Sequence, residues 1–463
     1  MVAAGYQTIP EFASSEPESD REFSVLVLAD LVWPSSSVQT SLAELQRHPP
    51  YVRTYFRNPR QGLTSALLEH VDAVLIHWSL QTHLPQFIPN DFLSAMARSE
   101  IPVVIWRQDE YRWIPQFVET ASRLNTQFLI SNLDRAAAVA VYKPLIELGC
   151  RVLGALPGYS RLGPGPEVLP LSERRYSVGY RVNKLGPRFG KAAHKKVHAA
   201  TVLAEICMSV DRPFDISHER LSAKRWQMLL RNSTATAGAE SGCSVFDLNG
   251  NLDQQIRSWR DDPENKGRDE WAMYEPLIEP LEGKVKHSTL GPRIWEAIEV
   301  GTALILVPGE YRGILKPGEH YEPLHLDGSN NERIRWLLMN PEEMQAMVER
   351  TQNLLFDPRF QYRTFVSAIY KALSICAATR PATGLAHSMV GPQLISLWQS
   401  RLCGVSLRAR RNPKLRTSVL RPWQYANGEL RAAWVRMRRL ARRALNRLRQ
   451  VARVLRNTLS STD

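Results

Sequence analysis

Short runs of Val, Ile and Leu recur at 24–29, 73–78, 101–106 and 127–131, each followed by a stretch of helical length. The runs are apolar at successive positions, so both faces of each strand need covering. That pattern predicts a parallel layer with helices on either side. Four Pro and three Gly crowd into 157–170, which predicts an interdomain hinge over 157–175. A second series follows, with strands predicted at 176–180, 234–238, 284–287 and 302–307. Its best-defined helix covers 292–300, with Pro292 in the first turn and Gly301 at the stop. The pattern therefore predicts α/β architecture: two facing Rossmann-like domains, over 23–156 and 176–380. Ligands of such open sheets bind beyond the strand C-termini. Residues 1–22 are polar, with five acids against one Arg, and are expected to be a disordered acidic arm.

The C-terminal region has a different pattern. An irregular basic linker is predicted over 381–428, then one long amphipathic helix over 429–459. Leu430, Trp434, Met437, Ala441, Leu445, Leu448, Ala452, Leu455 and Leu459 step by three or four, and ten Arg fill the other faces. Charge sharpens this picture. The chain carries +13 overall, but residues 401–463 hold 16 Arg and one Lys against Glu429 and Asp463, a net of +15. The preceding 400 residues carry −2, so nucleic acid is disfavoured as the partner of the body. An apolar stripe flanked by arginines is what an interfacial helix on anionic lipid requires. Trp434, Arg438, Arg442, Leu445 and Arg449 are the expected membrane contacts. Packing on a partner and nucleic-acid binding remain as alternatives for this helix.

No apolar run reaches the ~18–20 residues of a spanning helix, and the N-terminus lacks the features of a secretory signal. The expected location is cytoplasmic, peripheral on the inner membrane face. The five Cys are scattered without a C-x-x-C pair, and are read as buried reduced thiols.

Several chemical signatures are absent: H-E-x-x-H, G-x-S-x-G, and G-x-G-x-x-G after a strand. The stretch 186–191 (GPRFGK) is one residue short of a P-loop, and Ala192 follows where Ser or Thr would hold magnesium. His194 and His198 share a helix face without an evident third ligand. There is no D-x-D either, so no metal cofactor is expected, and the protein itself must neutralise any bound diphosphate.

Two devices could do so. In the first, a buried strand ends in Arg181 and enters a loop with Lys184, Arg188 and Lys191, with Lys195 beyond; Arg clamps phosphate oxygens and Lys adds a point charge. The second is the stretch 288–307. Gly291 leads into a helix start, where backbone N–H groups and the dipole attract anions. Arg293 adds a cation, and Glu296 sits one turn in, where it could accept from ribose hydroxyls or simply face solvent. Thr302 opens the following strand. Glu240 and Ser241 follow a short strand and either face a sugar or cap a helix. In the first domain, His77, Asp109 and Glu110 emerge near strand ends and are the candidate general bases. A core role for His77 and a capping role for the two acids are equally open.

The stretch from Glu296 through Thr302 into a hydrophobic strand resembles the nucleotide-sugar helix of GT-B glycosyltransferases, often called glycosyl transferases group 1. Segments 215–220 (DISHER), 239–250 (AESGCSVFDLNG), 311–315 (YRGIL), 319–324 (EHYEPL) and 106–111 (WRQDEY) are similar to those of bacterial members in surface-polysaccharide biosynthesis. The resemblance spans roughly 23–376. It implies an acceptor held N-terminally and a nucleotide-activated sugar held C-terminally, with a glycan or lipid-linked acceptor. The family's E-x7-E motif places its second Glu on Glu296 and its first on Ser288, a departure that leaves retaining or inverting stereochemistry open. By order, Arg181 and Lys191 or Lys195 match the diphosphate cations. Two other readings stand beside transfer: a sugar-nucleotide epimerase or silent nucleotide-sugar binder on the same fold, and an adaptor docking on lipid or nucleic acid through the tail.

Overall fold

A computed structural model describes residues 5–15, 22–33, 35–47, 49–161, 169–183 and 185–379. The first sheet is built from β1 (Tyr6–Thr8), β2 (Phe23–Leu28), β3 (Val52–Arg57), β4 (Ala73–Ile76), β5 (Pro102–Trp106), β6 (Asn125–Ser131) and β7 (Arg151–Gly154), in the order β1-β7-β6-β5-β4-β2-β3. The second comprises β8 (Tyr176–Arg181), β9 (Asp215–Ser217), β10 (Ser233–Gly238), β11 (Ala303–Leu306) and β12 (Glu322–Pro323), in the order β12-β11-β10-β8-β9. Neighbouring strands in both sheets pair in parallel.

The successive apolar positions have a direct cause. In β2, Leu26 and Leu28 enter one core while Val25 and Val27 enter the core on the opposite face. β4 and β5 repeat this, with Val74, Ile76, Val103 and Ile105 on one side and Leu75, Val104 and Trp106 on the other. The strand order reverses between β2 and β4 in the first sheet and between β8 and β10 in the second. Such reversals open a crevice at the strand C-termini.

Four departures from the sequence-based expectations have physical explanations. The acidic arm is not disordered throughout. Residues 6–8 pair with β7 and Ile9–Ser15 is a helix, because Tyr6, Ile9 and Phe12 are apolar among the acids and all become buried. Glu11, counted as part of the acidic charge, accepts the Thr8 N–H at 2.7 Å. The second domain does not run on to 380 as one body. The helix Tyr362–Ala378 crosses back and buries Phe365, Ile369 and Leu373 in a core of the first sheet. No strand forms at 284–287; the nearest pairing is an isolated bridge between Ser241 and Thr289. Strands β3, β7, β9 and β12, absent from the sequence-based reading, are edge or short strands whose polar residues hide the run. The chain also crosses between the sheets twice, at 155–161 and 354–361. The two crossings are joined by Ser160 N–H to Phe360 O (2.7 Å) and Tyr362 N–H to Ser160 O (2.9 Å).

The linker over 381–428 and the helix over 429–459, with Trp434, Arg438, Arg442, Leu445 and Arg449, lie outside the described residues. No helix among the described residues is long and apolar enough to cross a membrane. Cys150, Cys207, Cys243 and Cys376 are free and buried.

Candidate functional site

A cavity of about 330 Å³ opens where the C-terminal ends of β8 and β10 face the first sheet. Arg181, Val182 and Asn183 reach it from the end of β8, and Ala239 and Ser241 from the end of β10. Gly291, Pro292, Arg293, Ile294 and Glu296 reach it from the start of helix Pro292–Glu299. The first domain contributes residues 35–37, at the start of helix Ser36–Leu45. Among the described residues four cations line the cavity (Arg181, Lys196, Arg220 and Arg293), against one carboxylate, Glu296. Gly291 is fixed by crowding: a Cβ there would collide with Ser241 Oγ.

Glu296 bridges the domains. Its Oε1 accepts from Ser36 Oγ at 2.9 Å and its Oε2 from Trp226 Nε1 at 2.6 Å. Burial raises its pKa, while the bonds from Ser36 and Trp226 pull the other way. The Arg293 guanidinium lies 5.2 Å from the centre of the Trp226 ring and donates to Arg181 O at 2.5 Å. Arg181 is nearly buried and is held by Asp215, with Nη2 to Oδ2 at 2.7 Å, yet its Nε has no acceptor among the described residues. Burial lowers the pKa of Lys196 and of Arg293. Both cations are therefore short of compensating negative charge, a deficit that a bound anion would relieve.

The sequence-predicted residues divide. Arg181, Ser241, Gly291, Arg293 and Glu296 are brought together in the cavity wall. Lys191 and Lys195 are not; they are exposed at the start of helix Lys191–Met208, and the Lys191 N–H is taken by Glu282 at 3.1 Å. The lysine that turns into the cavity is Lys196, missed because three lysines in this stretch look alike and only helical phase separates them. Trp226 was missed as well, since its value lies in an indole N–H aimed at a carboxylate 70 residues away. Thr302 is buried behind the site, donating to Leu230 O at 2.8 Å and accepting from Arg174. Glu240 stands beside the cavity, where Oε1 accepts from Ser288 Oγ and from the Tyr311 N–H, the latter at 2.7 Å.

The first-domain candidates divide too. His77 is fully buried. Its Nδ1 accepts the Ser79 N–H at 3.1 Å, which leaves the proton on Nε2 facing Ser41 Oγ at 2.9 Å. Burial pushes its pKa down to about 3, so it is a neutral core histidine rather than a cleft base. Glu110 is also fully buried, accepting from Ser131 Oγ (2.7 Å), the Asn132 N–H (2.6 Å) and Tyr142 Oη. Those bonds tie the end of β5 to the end of β6. Asp109, with φ +54°, has an accessible side chain on the same loop, although the protein around it desolvates its carboxyl and raises its pKa.

Among the described residues no group of three or more His, Cys, Asp or Glu is placed to hold a metal.

No family model and no curated protein matches the chain. Among solved structures, it is similar to Anabaena HepE in complex with UDP and glucose (12% identity, 76% of this chain and 100% of that one, TM-score 0.39). It is also similar to an alpha-glucosyltransferase in complex with UDP and a 13-mer DNA containing an HMU base (10% identity, 77% and 99%, TM-score 0.44). A third is Phytolacca americana UGT2 complexed with UDP-2fluoro-glucose and pterostilbene (9% identity, 79% and 100%, TM-score 0.31).

Proposed function

We propose that the chain is a GT-B-type glycosyltransferase that moves a sugar from a nucleotide-activated donor to a glycan or lipid-linked acceptor. One observation carries this reading: among the described residues, four cations and a helix start surround a small interdomain cavity in which a single carboxylate, Glu296, stands one turn along that helix. A diphosphate fits the cations and the helix start, and ribose hydroxyls fit the carboxylate. In transfer, the bond from the sugar's anomeric carbon to the diphosphate oxygen breaks and a bond to the acceptor oxygen forms. Arg181, Lys196 and Arg293 would hold the charge that develops on the leaving diphosphate, with no metal called for. Asp109, the candidate base still open to water, would take the acceptor proton if the enzyme inverts. Glu240 would stand in for the carboxylate that Ser288 lacks, since its Oε1 lies against Ser288 Oγ.

The arginine-rich amphipathic pattern of the sequence over 429–459 supports docking on anionic lipid, which would suit a lipid-linked acceptor on the inner membrane face.

The test is a thermal-shift screen of the full chain against UDP-, GDP-, dTDP- and CMP-sugars with EDTA present. A ligand bound only by the native state raises its stability by RT ln(1 + [L]/Kd). A shift with one nucleotide series, reduced in Arg181→Ala, is expected. No shift with any series from a folded sample overturns the reading.

A further inference from the structure

A second cavity, of about 660 Å³, lies where the chain crosses between the sheets. Its walls are the end of β1 (Tyr6, Thr8), the first crossing through Tyr159, the loop 312–320 and the return crossing at Leu354, Arg359 and Phe360. None of these residues lines the cavity around Glu296. The loop overlaps both the YRGIL segment (311–315) and the EHYEPL segment (319–324), which the nucleotide-sugar reading leaves without a role.

We propose that this cavity binds an anionic saccharide, a sugar carrying a carboxylate or a phosphate. Three cations line it (Arg312, Lys316 and Arg359), with one carboxylate, Glu319. Lys316 lies 3.2 Å from Glu319, and Arg359 pairs with Asp357 at 2.6 Å. Among the described residues Arg312 has no carboxylate partner: its Nη2 donates to Asn132 O of the first domain at 2.6 Å, and its Nε is buried without an acceptor there. A half-buried guanidinium whose Nε–H is buried and unmet is a binding group for a planar or tetrahedral anion.

The backbone supports the same conclusion. Tyr311 (φ 43°) and Arg312 (φ 57°) are successive left-handed residues that are not glycine, followed by Gly313 (φ 69°). Such strain persists only where surroundings enforce it, and it concentrates at ligand sites. Here Glu240 enforces it by taking the Tyr311 N–H, and Val307 O by taking the Tyr311 hydroxyl at 2.6 Å. The outcome is to set Arg312 in the cavity wall rather than in solvent. Rings of Tyr6, Tyr159 and Phe360 supply the apolar remainder of the lining, matching the C–H faces of a sugar ring. The volume falls within the range of small-molecule sites.

The experiment titrates the full chain with glucuronate, glucose 1-phosphate and glucose, reading binding by saturation-transfer NMR, with UDP as a separate titration. The two acidic sugars should bind and glucose should not. The double variant Lys316→Ala/Arg359→Gln, both at exposed positions, should weaken the acidic sugars about tenfold while leaving UDP binding unchanged. Arg312→Gln should weaken them further. A response confined to glucuronate makes the ligand a uronate, and one confined to glucose 1-phosphate makes it a phosphosugar; either supports the site. Equal binding of glucose, or acidic-sugar binding untouched by the double variant, overturns it. Because UDP is read separately, failure of the nucleotide-sugar reading and failure of this site are distinguishable.

Discussion

The C-terminal ends of the two sheets occupy equivalent positions in parallel α/β layers, yet they use their polar residues in opposite ways. At β4 and β5 the ionisable side chains turn inward. His77 is held by two serines, and Glu110 takes three hydrogen bonds from Ser131, Asn132 and Tyr142. At β8 and β10 the polar groups surround a cavity and are left partly unmet, with Arg181 Nε lacking an acceptor among the described residues and Lys196 desolvated. A strand end thus supplies a position for chemistry, and the packing behind it decides whether the side chain becomes a strut or a ligand-binding group.

The largest effect that would break this contrast is at Glu110. Glu110→Ala should leave the Ser131 hydroxyl, the Tyr142 hydroxyl and the Asn132 N–H without their acceptor. Each orphaned buried donor costs about 1–3 kcal/mol, so a loss of roughly 3 kcal/mol or more is expected in urea denaturation. A variant as stable as the parent would mean that Glu110 is not a strut, and would restore it as a candidate base.

Glu296→Gln should do the reverse, with stability nearly unchanged and UDP-sugar affinity down roughly 10–100-fold, as for a lost charge-assisted bond. Its pH dependence has two opposite signs. Burial raises the folded pKa of Glu296 above its unfolded value. Its stabilising contribution is therefore present below the unfolded pKa and is lost as pH rises through the raised folded one. Donor affinity, which needs the carboxylate, should instead strengthen over that same rise. Calorimetric titrations across the acidic range should show this trend in the parent and not in Glu296→Gln.

The lysines allow a finer comparison within one helix. Lys196→Ala should weaken UDP binding about tenfold, while Lys191→Ala and Lys195→Ala stay within about twofold. Equal losses at all three would mean that the cations act as a diffuse field rather than as a built wall.

Much of this organisation was legible in the sequence. The apolar runs located β2, β4, β5, β6 and β11 because strands covered on both faces cannot hide their composition. The helix at 292–299 was legible from Pro292 and Gly301, and with it came Arg293 and Glu296. What escaped the sequence depends on direction rather than on residue type. The inward turn of His77 and Glu110, the phase of Lys196, the aim of Trp226 and the return of helix Tyr362–Ala378 are all fixed by tertiary packing, to which a one-dimensional pattern is blind.

Ser36 gives the smallest effect and the most informative sign. Its hydroxyl occupies Glu296 Oε1 across the cleft, the same carboxylate that the proposed donor's ribose would use. Ser36→Ala removes one interdomain hydrogen bond, so stability should fall by about 1 kcal/mol. If the ribose must displace Ser36, the ligand no longer has to break that bond, and UDP-sugar affinity should rise by up to about fivefold as stability falls. If the carboxylate holds ribose and Ser36 together, the serine is part of the closed complex, and affinity should fall instead. A thermal melt paired with a calorimetric titration on this one variant separates the two cases. It thereby tells whether the first domain's contribution to the cavity is a latch that the ligand opens or a wall that the ligand completes.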